Sequence, residues 1–405
     1  MQIEVVESLA NIAPTEWNAL VAQSGGNVFL SHAYLHALHD TGCASARTGW
    51  QPMYLIATEN EKFVGALPLY LKAHSYGEYV FDWAWADAYE RAGGTYYPKL
   101  LSAIPFTPCT GPRVLAANDE VRDALCKAAI AYAAKLGVSS VHVLFPPEPE
   151  ADAWKAAGLT LRQGVQFHWL NHGFDSFDAM LAAMTHDKRK RIKQDRRYVA
   201  EAGVTWRNSQ SAHITEDDLA FFYRCYENTY REHHSTPYLT HDFFKRIVAQ
   251  CNDAVVLFIG ERDGEKLCTS LCIVDGDTMY GRYWGTLEPL KSLHFEACYY
   301  QPLAWCIEHG VQRFEGGAQG AHKLARGLLP TTTYSAHWIG NKGFAKAVED
   351  FLKRESVGVA HTLDELSESS PFKADVSTPH AAQSDATDPL TSPLPRAGEG
   401  ARQGG

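Results

Sequence analysis

Residues 256–274, VLFIGERDGEKLCTSLCIV, read as an apolar run, a polar turn and an alternating run; residues 53–71, MYLIATENEKFVGALPLYL, read the same way. Both stretches predict β-hairpins. Ile56 precedes Ile259 by 203 residues, and Tyr96-Tyr97 precedes Tyr299-Tyr300 by the same interval, each pair inside a helix-like stretch. Further on the interval becomes 169: Gly158-Leu159 answers Gly327-Leu328, and His168-Trp169 answers His337-Trp338. Self-similarity at a fixed spacing predicts a duplicated unit, and the second interval ends the first copy near residue 170.

Working outward, each half reads as an N-terminal helix, a two-strand hairpin, a third strand, a helix, a further strand and closing segments. In the second half these fall near 254–260, 266–274, 278–284, 293–309 and 311–315. A meander followed by a crossover helix and a strand predicts an α/β (α+β) fold: two tandem domains, each a mixed sheet flanked by helices. The pairing should change from antiparallel to parallel near Tyr283 and Glu315. The expected division is 1–170, 171–364 and a tail, 365–405. The tail is rich in Pro, Ser, Ala and Gly and reads as disordered, because it has too little apolar surface to offset chain entropy.

Composition narrows the function classes. The 405 residues are 45% apolar, enough for two cores, and the net charge of −10 makes the whole chain a poor electrostatic partner for DNA or an acidic membrane. The first residues lack a basic start and an apolar core, and no apolar run approaches the roughly eighteen residues of a membrane span. The chain therefore reads as cytoplasmic. Its nine cysteines are odd in number and contain no CxxC pair, so reduced thiols are expected, without a disulfide frame or metal site.

The chemistry is expected at residues 314–327, FEGGAQGAHKLARG, which follow a strand, carry four glycines and then supply His322, Lys323 and Arg326. Gly316, Gly317 and Gly327 would let the backbone approach a ligand, while Lys323 and Arg326 would face a phosphate or a developing oxyanion. Acyl transfer to nitrogen needs a neutral amine and a proton acceptor; Glu315 and His322 are the candidates. Tyr283 and Trp284, at the end of the third strand, belong to the expected substrate cleft. Glu296 and Tyr300 should share a helix face, where burial would raise the carboxyl pKa. A second feature is the basic run 188–197, seven positive charges in ten residues. On a helix Arg189, Lys193 and Arg196 would share a face able to hold a phosphorylated ligand or an RNA backbone. The aromatic stretch 81–91, FDWAWADAYER, is either a ligand-facing surface or packing against the sister domain.

The stretches YWGTLEPLKSLHFEACYYQPLAWCIEHGVQRFEGGAQGAHKLARGLLP (283–330) and FDWAWADAYERAGGTYYPKLLSAIPFTPCTGPR (81–113) resemble the bacterial N-acyltransferases of the FemAB-like, or peptidoglycan biosynthesis/recognition, group. The resemblance covers roughly residues 1–360 and implies two GNAT-like domains. More distantly, the second half is similar to the Fem aminoacyl transferases. In those, a strand ending Asp-x-Gly-Gly leads to Phe-Lys-x-x-Phe-Gly, whose lysine lies near the transferred group. Lys323 and Gly327 match that motif, Glu315 stands for the aspartate, and His322 and Arg326 replace aromatics. The basic helix beginning at Lys188 resembles the one that opens the Fem second domain. The resemblance implies an acyl or aminoacyl transfer to an amine, with a cell-wall precursor as acceptor and acyl-CoA or aminoacyl-tRNA as donor. The coenzyme-A loop of ordinary GNAT enzymes, Gln/Arg-x-x-Gly-x-Gly/Ala, is missing. A recognition module that holds a cell-wall precursor or phosphorylated metabolite without turnover is the second expectation.

Overall fold

Fifteen strands carry the sheets of the computed structural model, which describes residues 1–373 except Asn252, Ala318 and Gln319. In the first half they are β1 (Gln2–Val6), β2 (Trp50–Pro52), β3 (Tyr54–Glu59), β4 (Lys62–Leu67), β5 (Tyr70–Lys72), β6 (Lys99–Ser102), β7 (Leu115–Ala116), β8 (Ser140–Leu144) and β9 (Thr160–Leu170). The second half supplies β10 (Thr205–Gln210), β11 (Val255–Arg262), β12 (Glu265–Asp275), β13 (Thr278–Thr286), β14 (Arg313–Glu315) and β15 (Leu329–Ile339).

The two hairpins form as the alternation predicts. Asn60-Glu61 and Asp263-Gly264 turn them, all four at positive φ, as the tight turn of a right-twisted hairpin demands. The 203-residue interval extends to fine detail: a bulge lies between Ala57 and Thr58 in the first hairpin and between Gly260 and Glu261 in the second. The 169-residue interval is equally strict, since β9 and β15 begin and end 169 residues apart.

Between these anchors the copies diverge. The eleven residues of β12 form one strand, bulged against β13 at Leu271/Cys272. Their counterparts in the first half are cut at Pro68, which has no N–H for a ladder, into β4 and β5. The pieces join different sheets, β1-β3-β4-β7 and the eleven-stranded β10-β11-β12-β13-β14-β9-β15-β8-β6-β5-β2. The expected mixed α/β architecture, sheets flanked by helices, is present, with the strands of the two halves joined in the larger sheet. Tyr96-Tyr97 needs a correction: the pair lies in an extended stretch before β6, whereas Tyr299-Tyr300 is helical, so that match has no structural counterpart.

The large sheet is continuous because the halves exchange their last strands. β9 of the first half lies between β14 and β15, and β15 of the second lies between β9 and β8. The two exchanged strands pair antiparallel over nine residues, from Leu329 opposite His168 to His337 opposite Thr160. The expected switch to parallel pairing is present in both halves: β13 with β14 over Thr278–Tyr280, and β6 with β8 over Leu100–Ser102. One hydrophobic core also runs across the halves, joining Trp17, Phe29, Tyr34 and Leu35 to Phe222, Phe243, Phe244 and Tyr280.

The expected start of the tail is corrected as well. Asn341 caps a helix, Lys342–Glu368, that passes through residue 365. Beyond it Phe372 is buried against Phe174, held by hydrogen bonds from Thr185 N to Pro371 O and from Lys373 N to Ala183 O. Residues 374–405 of the expected tail lie outside the described residues. Among the described residues, no helix is long and apolar enough to cross a membrane. All nine cysteines are free thiols.

Candidate active site

β13 and β14 stay paired for three residues only, ending at Tyr280 and Glu315. Past that point β13 follows β12, and the chain after β14 turns away through glycines. The divergence opens a cavity of about 150 Å³ lined by the β12 bulge (Ser270–Cys272), by Gly281–Trp284 of β13, by His294, Cys298 and Tyr299 above, and by Phe314 and Gly316. Tyr283 and Trp284 both line this cavity. The glycines are needed here: a Cβ on Gly316 would come within 2.6 Å of Leu328, and Gly317, Gly320 and Gly327 all hold positive φ. A gap at a strand end, where pairing changes direction, is a common place for a ligand in such sheets.

Side chains alternate along β14, so Phe314 backs the cavity while Glu315 points to the opposite face. There Glu315 stands across the ladder from His168, with 4.0 Å between Oε2 and Nε2. Burial pushes the Glu315 carboxyl up to about 7, against the pull of Arg313, Arg282, a hydrogen bond from the Thr110 backbone and Arg113. Its Oε2 has no hydrogen-bond partner among the described residues. Burial, with the charges of Arg313 and Lys323, drives His168 down to about 3.

Lys323 sits in a short 3-10 turn, Ala321–Arg326, bounded by Gly320 and Gly327. Its Nζ donates to Gly317 O at 2.9 Å, and burial lowers its pKa to about 8, with Cys298 opposing. The Lys323 stem runs beside Gly316, which places it at the edge of the cavity. His322 is more exposed; its Nε2 meets Tyr299 OH at 3.1 Å, and burial plus Arg326 and Lys323 lower its pKa. Arg326 turns elsewhere. Its guanidinium lies 3.4 Å over the Phe295 ring and 3.8 Å from Asp195, so it fastens the turn to its surroundings.

Glu296 and Tyr300 do share a face, although the segment Glu296–Tyr300 is a single π-helical turn, a form common at functional sites. That face looks away from the cavity, onto the basic helix His186–Glu201. Arg196 Nε reaches Glu296 Oε1 at 3.2 Å, and burial raises the Glu296 pKa in spite of that contact and of Gln301. Tyr300 OH donates to Asp195 Oδ2 at 3.0 Å, and Ser292 Oγ donates to Asp195 Oδ1 at 2.8 Å. Arg196 is thereby paired with Glu296 while lining the same trough as Lys193. Arg189 and Lys193 border a shallow trough of about 400 Å³ with Lys190 and Arg197, and Lys193 also edges a neighbouring one of about 370 Å³ beside Glu296.

Three residues of this neighbourhood escaped sequence reading. Asp195 is an acid inside a basic run, which is itself a signal for an internal clamp. His168 marks the repeat, yet only the strand exchange brings it to Glu315. Arg282 had no signal beyond its place next to Tyr283. Of the aromatic stretch, Trp85 is buried with its ring 4.9 Å from that of His337, while Phe81 and Trp83 are exposed. Among the described residues no group of three or more His, Cys, Asp or Glu is placed to hold a metal ion.

A family model described as peptidoglycan biosynthesis/recognition, FemAB-like, matches residues 8–374. The chain belongs to the FemAB-like family. No curated protein matches this FemAB-like chain by sequence. Its fold is similar to that of FemX, at 12% identity and a TM-score of 0.51, over 86% of this chain and 100% of that one. It is likewise similar to L-PGS from Bacillus licheniformis, at 11% identity and a TM-score of 0.51, over 82% of this chain and 93% of that one. At such identities the likeness concerns the fold alone, a mixed α/β architecture.

Proposed function

We propose that this FemAB-like chain transfers an acyl or aminoacyl group to an amine acceptor, a cell-wall or lipid precursor, in the cytoplasm. The observation that carries the reading is Glu315. This carboxyl, held near neutrality by burial, belongs to the last residue of β14 that pairs with β13, on the face of the sheet that carries His168 and within reach of the Arg282 charge. A base of that pKa is matched to removing a proton from an attacking amine at neutral pH. In the proposed step the amine nitrogen bonds the acyl carbon while its proton passes to Glu315, directly or through water. The bond to the donor oxygen or sulfur then breaks, and that atom leaves with a proton.

Lys323, at the edge of the same gap, would stabilise the oxyanion of the tetrahedral intermediate, and His322 beside it would relay a proton at the leaving group. The donor would be an acyl-CoA or an aminoacyl-tRNA. Arg189, Lys193 and Arg197 supply a positive trough for its phosphates close to the turn that carries Lys323. The test is a panel of acyl-CoA and aminoacyl-tRNA donors with amine-bearing cell-wall and lipid precursors, comparing the wild type with Glu315→Gln and Lys323→Ala. Transfer by the wild type that both variants lose is expected. Ligand binding without turnover in the wild type would instead favour a recognition module.

A further inference from the structure

Arg282 extends from β13, two residues past the last parallel pair with β14, and lines the cavity. Its Nη2 donates to Phe106 O at 2.6 Å and lies 3.5 Å from both Thr107 Oγ1 and Tyr283 OH. The Nε donor is buried with no acceptor, and among the described residues no carboxylate comes within ion-pairing distance of the guanidinium. Two fully buried cations are better provided. Lys99 bonds Glu78 and Asp82, and Arg113 donates to the carbonyls of Cys109, Gly111, Pro112 and Leu144.

The surroundings of Arg282 are shaped at some cost. Phe106, which offers the carbonyl, and Tyr79, whose hydroxyl group lies near enough to act on Arg282, both hold positive φ, at 59° and 64°. Side chains other than glycine rarely adopt that conformation, and where they do it commonly marks a functional position. Tyr34, Tyr79 and Tyr283 surround the cation with hydroxyl groups and aromatic faces, and among the described residues no carboxylate touches it. A guanidinium withdrawn from water with a donor unfilled is unfavourable until an anion completes it, and its planar fork matches a carboxylate or a phosphate.

We propose that Arg282 is an anion-binding residue, holding a carboxylate or phosphate of a small molecule seated in the gap between β13 and β14. Glu315 lies close enough to feel the Arg282 charge. An acceptor anchored by its anion at Arg282 would therefore carry its amine toward the carboxyl, so the acceptor class is an amine bearing a nearby anionic group. The acceptor assignment rests on the transfer reading; the anion site does not.

Calorimetric titration of the full chain with inorganic phosphate, and separately with N-acetylglycine, tests the site without any turnover. Saturable binding of at least one probe is expected, weakened about tenfold or more in Arg282→Gln and by a smaller factor in Arg282→Lys, which keeps the charge but loses the fork. Binding of phosphate alone would assign the anion to a phosphorylated acceptor; binding of N-acetylglycine alone would assign it to an amino acid or peptide. Neither probe binding saturably, or equal affinities in the wild type and both variants, overturns the proposal. Because Arg282 also holds the Phe106 carbonyl, Arg282→Lys decides the matter should Arg282→Gln fail to fold. Transfer that persists in Glu315→Gln would defeat the catalytic reading and leave these titrations standing.

Discussion

Glu315 occupies, opposite His168, the ladder position that His142 occupies opposite His337 in the other half of the sheet. The second pair is the tighter, with 2.6 Å between Nδ1 atoms, so one imidazole donates and its partner accepts. The first pair leaves 4.0 Å and an unfilled carboxylate oxygen. Duplication placed the same backbone twice, and one side-chain difference, carboxylate for imidazole, separates a filled structural pair from a group poised near neutrality.

Glu315→Gln should change stability in a pH-dependent way as well as remove transfer. The carboxyl is raised from its ordinary value to about 7 in the folded chain. The native state therefore holds the proton more tightly, and stability falls as pH rises from about 4.5 to 7. The glutamine variant lacks that loss and should gain up to about 3 kcal/mol over the wild type at pH 8, with little gain at pH 4. Denaturant unfolding at the two pH values checks it; a gain independent of pH would contradict the assignment.

For Lys323 the expected sign is the reverse. Its folded pKa, about 8, lies below the value of a free lysine, so its protonated form opposes folding and stability rises with pH from about 8 to 10.5. Lys323→Met should flatten that rise. In single-turnover transfer the same variant should lose about a hundredfold or more in rate, the usual effect of removing an oxyanion donor.

The histidine pair predicts acid sensitivity. His142 is lowered to about 3 and His337 is lowered well below its ordinary value, burial being the first cause in each case. Both bind protons only after unfolding in this range, so their contribution is complete above about pH 6.5 and is lost on acidification toward 3. His337→Gln should reduce the slope of stability against pH between 4 and 6. Intrinsic fluorescence during guanidinium titrations would report it, since Trp85 packs on His337.

Asp195 fixes the basic helix to the π-helical turn and to the turn bearing Lys323, through Ser292, Tyr300 and Arg326. Asp195→Ala leaves buried donors unfilled and should destabilise by about 2–4 kcal/mol, while Tyr300→Phe removes one bond and should cost about 1 kcal/mol. A loss of transfer in Asp195→Ala that tracks the loss of stability would mark the residue as structural.

Phe372 lies beyond the long last helix, yet it is buried against Phe174 and near Gly327. Phe372→Ala should lower stability by about 3 kcal/mol, as for other buried aromatics. A thermal midpoint equal to that of the wild type would show that this contact contributes nothing.

The sequence-level signals succeeded where local chemistry decides structure. Hairpin alternation found β3-β4 and β11-β12, because the pattern reflects which face of one strand is buried, and the His-Trp interval of 169 marked equivalent points of what the structure shows to be β9 and β15. The pairing of β9 with β14 joins residues more than a hundred positions apart, which no local pattern encodes, whereas the division at Pro68 has a local cause that the alternation alone did not register. The site followed the same rule. Glycines, Glu315 and Lys323 stood together in the chain and were legible, whereas Arg282 and His168 reach the site only through the completed sheet. Phe372 was overlooked because one aromatic in a polar stretch carries no periodicity.

The exchange of β9 and β15 has a consequence for biogenesis. As the chain leaves the ribosome, β8 presents an open edge until β15 has emerged, and β9 has no partner until β14, at residues 313–315, has followed it out. Neither half released by itself would close its sheet, so the gene cannot be divided near residue 170 into two independently folding products. Two separately synthesised fragments would regain the fold only by finding each other, and a dimer that traded the same strands between two chains would be the natural misassembly.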